Sequence, residues 1–164
     1  MPKAAELEPL IERALGNFIA FVNEKSWVGR EREAVSLFAF GFLLKECRPG
    51  AVLQDPAQIG IEVAVPQLRG DGRKRVVCKD LVIWSEPRMT VWDRDGNPAN
   101  YPIGILEWKC NHSEQVSGDI EWLKQFSLFS DDFVGFSIDL RLDQQERSMV
   151  VRKIVQGTAL AFSI

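Results

Sequence analysis

Two apolar, strand-like runs most constrain the fold of this 164-residue chain: Val77-Cys78-Lys79-Asp80-Leu81-Val82-Ile83-Trp84 and Ile103-Gly104-Ile105-Leu106-Glu107-Trp108-Lys109. Their aliphatic and aromatic content demands burial, yet Asp80, Glu107 and Lys109 lie inside them. A buried charge is costly unless it is paired or ligates a metal. The two runs therefore predict adjacent strands of one sheet, with their charges gathered at one place.

The pattern upstream is helical. Glu8 to about Val22 places Leu10, Ile11, Leu15, Phe18 and Val22 on an apolar face, with Pro9 in the first turn. After a break at 23–29, a second helix is predicted from about Arg30 to Glu46, ended by Arg48-Pro49-Gly50. Its apolar residues form two opposite stripes, Val35/Phe38/Phe42 and Leu37/Phe40/Leu44, which predicts burial between layers.

From residue 59 the period falls to two. Ile59, Ile61, Val63 and Val65 alternate with Gly60, Glu62 and Ala64, a strand stopped by Pro66. A polar turn over 69–75 leads into a return strand, Val76 to Trp84. Asp93–Asn97 is a turn signal, and Tyr101–Cys110 a third strand. Gly118 to about Phe129 fits a helix, Phe133–Leu142 a fourth strand and Met149–Val155 a fifth. The order predicts an α/β domain with a mixed central β-sheet and flanking helices.

Length suits one domain over 1–164, with a helical extension at 1–28, a core at 29–142 and a C-terminal strand extension at 143–164. A hydrophobic share of 46% against 26% charged residues excludes general disorder. The net charge of −3 gives no global pull on polyanions, so nucleic-acid binding would need a local basic patch. The N-terminus lacks a basic start followed by an apolar run, which predicts no secretory signal. No apolar run approaches the roughly 18–20 residues that span a bilayer. Cys47, Cys78 and Cys110 form no CxxC pair, which points to reduced thiols and a cytoplasmic setting.

Glu107 and Lys109, two apart on a strand, share a face, while Leu106 and Trp108 take the other. With the Asp80 strand alongside, Asp80 and Glu107 converge on one cation, and the Trp108 carbonyl is placed as a further oxygen ligand. Magnesium suits such hard oxygens. Lys109 would stand beside the attacked phosphate or its water. The bland alternative makes Asp80 a turn residue and Glu107/Lys109 an exposed edge pair; the two carboxylates would then lie apart. The segment Arg69, Arg73, Lys74 and Arg75, with Lys79, is a phosphate-contacting arm or a solvated hairpin tip. His112 and Cys110 lack the spacing of a four-ligand zinc site, and no GxGxxG or P-loop occurs. Trp92, beside a turn, is the tryptophan expected at the surface.

Lys79-Asp80 followed by Glu107-Trp108-Lys109 resembles the PD-(D/E)XK, or restriction-endonuclease-like, nucleases, with Lys79 where the motif has proline. The element order from Glu31 through Leu142 is similar to that family's αβββαβ core, preceded here by an extra N-terminal helix. The resemblance implies a Mg2+-dependent nuclease, Mn2+ substituting, with Asp80, Glu107 and Lys109 catalytic and DNA as substrate. It also implies a glutamate from the first core helix. Gly29-Arg-Glu31-Arg-Glu33 is similar to the helix start of archaeal Holliday-junction resolvases, which favours Glu31, although periodicity allows Glu31 or Glu33. Gln125 with Phe129 keeps the glutamine and spacing of the Q-x-x-x-Y motif of the RecB-like branch, and so implies a substrate contact at Gln125. Such nucleases often work as homodimers or in larger nuclease complexes, away from membranes. The alternative is a catalytically inactive member of the fold serving as a nucleic-acid- or protein-binding subunit, which the acidic balance favours.

Overall fold

A computed structural model of the chain describes residues 3–68 and 74–162. Its elements are α1 (Lys3–Glu24), α2 (Glu31–Gly41), β1 (Ile59–Pro66), β2 (Val76–Ile83), β3 (Gly104–Cys110), α3 (Val116–Phe126), β4 (Val134–Arg141), β5 (Ser148–Val155) and β6 (Thr158–Phe162). The strands form one sheet in chain order. All neighbours are antiparallel except β3 and β4, which run parallel because α3 crosses over between them. The α/β class and the mixed sheet flanked by helices are as the sequence implies. Strand β6 is additional. It returns from β5 through Gln156 and Gly157, both at positive φ (46° and 76°), a tight two-residue hairpin.

Each face of the sheet has its own core. Helices α1 and α2 cover the larger, where Leu7, Ile11, Leu15, Phe18 and Phe38 meet Trp108, Phe136 and Ile138. Helix α3 covers the smaller, where Leu123 and Phe126 meet Val65, Val82, Ile105 and Phe133. The buried amide of Gln58 ties down the entry to β1: it donates to the carbonyls of Val52 and Trp84 and accepts from the Gln54 and Asp55 amides. Among the described residues no helix is long and apolar enough to cross a membrane.

Three local expectations are corrected. Helix α1 starts at Lys3, so Pro9 lies inside it and not in its first turn. A tertiary cap explains the early start, since the Ala4 amide donates to the Asp132 carboxylate at 2.7 Å. Helix α2 ends at Gly41, with a 3-10 turn at Leu43–Glu46, and only one of its stripes is buried. Val35 and Phe38 face the sheet, whereas Phe40 is 67% exposed, as befits a helix in an outer layer.

The third correction shapes the site. Ile59 and Ile61 pack toward α1 and α2, but Val63 and Val65 pack into the α3 cluster. The strand reverses its faces at Glu62, whose φ is +53°. Strand β2 follows its partner: Leu81 and Ile83 face α1 and α2, whereas Val77 joins the α3 side.

Candidate functional site

The β2–β3 ladder is short, with register pairs Ile83↔Gly104, Val82↔Ile105 and Leu81↔Leu106. Beyond Leu81, acidic side chains take over its hydrogen bonds. The Asp80 carboxylate accepts the Trp108 backbone N–H at 2.8 Å, and the Asp80 N–H points to Glu107 Oε2 at 3.4 Å. A buried amide needs a partner, and an ionised acceptor is a strong one. The two acids, distant in sequence, therefore meet in the gap where the strands separate.

Glu107 is 5% exposed and ion-paired through Oε1 with Lys79, itself buried. The Lys79 ammonium lies 3.6 Å from the centre of the Trp122 ring on α3. Burial pushes the Glu107 carboxyl up to about 7; Lys79 opposes this, and Asp80 and Asp119 add to it. Lys109 lies 2.9 Å from Asp119 Oδ2 and donates to the Trp108 carbonyl at 3.0 Å. Burial works against its charge, but Asp119, then Glu31 and Asp80, outweigh that and raise its pKa above the ordinary lysine value. The Trp108 side chain takes the other face, against Phe18 and Phe38 at ring distances of 5.5 and 5.2 Å.

Glu31 and Glu33 separate cleanly. Glu33 accepts the Arg30 N–H at 2.6 Å and closes the start of α2. Glu31 is half-buried and hydrogen-bonded by the Cys110 backbone; burial raises its pKa, Lys109 lowers it and Asp80 raises it. Glu31 and Asp80 line one cleft of about 340 Å³ between α2 and β1–β2. The Arg32–Glu62 ion pair, 2.7 Å, stands beside it. A wider groove of about 800 Å³, running past Cys110, Asn111 and His112, shares Glu31 and Arg32 with the cleft.

No family model, curated protein or solved structure matches this chain.

Asp80 and Glu31 line one cleft, and Asp80 meets Glu107 and Trp108 through backbone amides, while Glu107 is paired with Lys79 and Lys109 is held by Asp119 and the Trp108 carbonyl. Lys79 does not belong to an exposed basic arm. The face reversal turns it inward, where it is 7% exposed and neutralises Glu107. Lys74 and Arg75 are exposed, and Arg75 donates to Asn97 Oδ1 at 3.2 Å; Arg69 and Arg73 lie outside the described residues. Gln125 sits on the exposed side of α3, bonded to Glu121 at 3.0 Å, and so does not join the acids. His112 is exposed beside Glu114. Two participants escaped the sequence reading, Asp119 and Trp122. Asp119 had a signal, an acid in the first turn of the helix that follows the Glu-x-Lys strand. Among the described residues, no group of three or more His, Cys, Asp or Glu side chains is arranged to hold a metal ion. Each of these acids is instead tied to an amide or an ammonium.

Proposed function

We propose that this chain is a divalent-cation-dependent nuclease of the PD-(D/E)XK type, cutting phosphodiester bonds in DNA. The observation that carries this is the 2.8 Å hydrogen bond from the Trp108 amide to Asp80, which sets the acid of one strand against the Glu-x-Lys of the next. The succession α2–β1–β2–β3–α3–β4 supports an αβββαβ core, with α1 added before it and β5–β6 after it.

The donor chemistry fits Mg2+ or Mn2+. Magnesium keeps several waters and is commonly held by one or two carboxylates together with substrate phosphates, so a cage of three acids is not required. Asp80 opens on the cleft with Glu31 across it. Glu107 and the Trp108 carbonyl would complete the oxygen set after releasing Lys79 and Lys109. When bound, the ion supplies Lewis-acid polarisation of a phosphoryl oxygen. Asp80, anchored by an amide, keeps its carboxylate fixed at the cleft. Lys109, held charged by Asp119, stabilises negative charge developing on the attacked phosphate. Lys74 and Arg75, exposed just before β2, offer phosphate contacts that position the strand.

The test is cleavage of single-stranded, duplex and branched DNA, with RNA alongside, in Mg2+ or Mn2+. Asp80→Ala, Glu107→Ala and Lys109→Ala should each abolish cutting by a protein that still folds. Equal trace activity in wild type and variants would defeat the proposal. The Lys79–Glu107 pair, which neutralises one of the acids, favours a second reading: a non-catalytic member of the fold that binds nucleic acid or protein. That reading expects salt-sensitive binding without cleavage.

A further inference from the structure

We infer that Lys79 is a built-in counter-cation that competes with a divalent ion for Glu107, so that loading of the site requires release of this lysine. The inference rests on the reading of the site given above and concerns how that site is controlled.

Both partners are almost fully shielded, Lys79 at 7% and Glu107 at 5% exposure. The ammonium bonds Oε1, and Oε2 faces the Asp80 amide, so both oxygens of Glu107 are engaged. A second cation cannot approach Oε1 without displacing the first, both by contact and by charge repulsion in a poorly solvated setting. The other lysine does not neutralise Glu107, because Lys109 is held by Asp119 and the Trp108 carbonyl. The ammonium also has a second place to rest: the Trp122 ring, 3.6 Å away and stacked on Phe126, stays beside it when the carboxylate turns to an ion. Lys79 reaches this side because the strand pair reverses its faces at Glu62.

Replacing Lys79 by an uncharged side chain should therefore tighten metal binding. Mn2+ is titrated into the full chain without nucleic acid, at one pH, by calorimetry and by electron paramagnetic resonance of free Mn2+. Lys79→Met, and Lys79→Gln, which keeps a hydrogen-bond donor for Glu107, should each bind Mn2+ about tenfold or more tightly than wild type. Mn2+ should also raise their unfolding temperature more. Adding Glu107→Gln to either should abolish the gain. Lys79→Arg should stay near wild type. If wild type binds Mn2+ and the Met and Gln variants bind it equally or more weakly, the competition is refuted while the metal site stands. If wild type and the variants all fail to bind, the metal site itself is refuted. Binding by the variants alone supports the inference in its strongest form.

Discussion

The Asp80 carboxylate and the Trp108 backbone amide are 2.8 Å apart, at the point where the β2–β3 ladder stops. One side chain thus ends a sheet pairing and, by the same bond, holds an acid at the mouth of a cleft. The two roles can be separated. Asp80→Ala leaves the amide without its acceptor and should cost about 1–3 kcal/mol of stability. Asp80→Asn keeps an acceptor oxygen and should cost clearly less. Neither variant should cut DNA. Urea unfolding beside the cleavage assay distinguishes them, and equal destabilisation by the two changes would argue against the amide-anchoring role.

Lys109 depends on Asp119, 2.9 Å away, for both position and charge. Lys109→Met should abolish cleavage. Asp119→Asn should lower kcat on the order of 10–100-fold, by letting the ammonium drift, with KM little changed. Steady-state kinetics on a DNA substrate checks this. A fall in substrate affinity at constant kcat would show Asp119 to be a binding group instead.

Glu107 makes the stability of the metal-free protein pH-dependent. Its folded carboxyl is raised to about 7 from the ordinary 4.5, chiefly by burial. Between these values the folded chain keeps a proton that the unfolded chain has released. Its contribution to stability therefore declines as pH rises from 4.5 to about 7, and levels off above. Glu107→Gln removes this titration, so the variant should gain on wild type across that window. Urea unfolding at a series of pH values measures the gap, and a gap that stays constant would contradict the raised value.

Trp108 sits within the motif, but its side chain belongs to the opposite core, packed on Phe18 and Phe38. Trp108→Ala should cost about 3–5 kcal/mol by opening a cavity. The indole Nε1 is buried without a hydrogen-bond partner, so Trp108→Phe loses no bond and should retain DNA cleavage. Thermal unfolding and the cleavage assay test the pair. Loss of activity in a stable Trp108→Phe protein would mean the indole serves the site.

Much of this arrangement could be read from residue order. The fall in period near Ile59 marks the change from helix to strand, and alternation on β3 puts Glu107 and Lys109 opposite Trp108. Other features lay beyond pattern. Periodicity allowed Glu31 or Glu33 to face the sheet; the capping bond of Glu33 to the Arg30 amide decides for Glu31. The Gln156-Gly157 hairpin carries no Asn-Gly or Asp-Gly signature, so β6 was hidden.

What residue order determined by itself is most of the elements, β6 excepted, and the pairing of two charged strands, because burial of apolar runs and side-chain period are local consequences of composition. Which way Lys79 points was decided by the fold. A backbone twist at Glu62, φ +53°, turns the following residues to the other face, and the chain is so tight there that a Cβ on Gly60 would lie 2.7 Å from Val63 Cγ2. Alternation presumes an unbroken strand and does not register such a reversal. Packing of two separate cores on the two faces does, and it converts a lysine expected in solvent into the buried partner of Glu107.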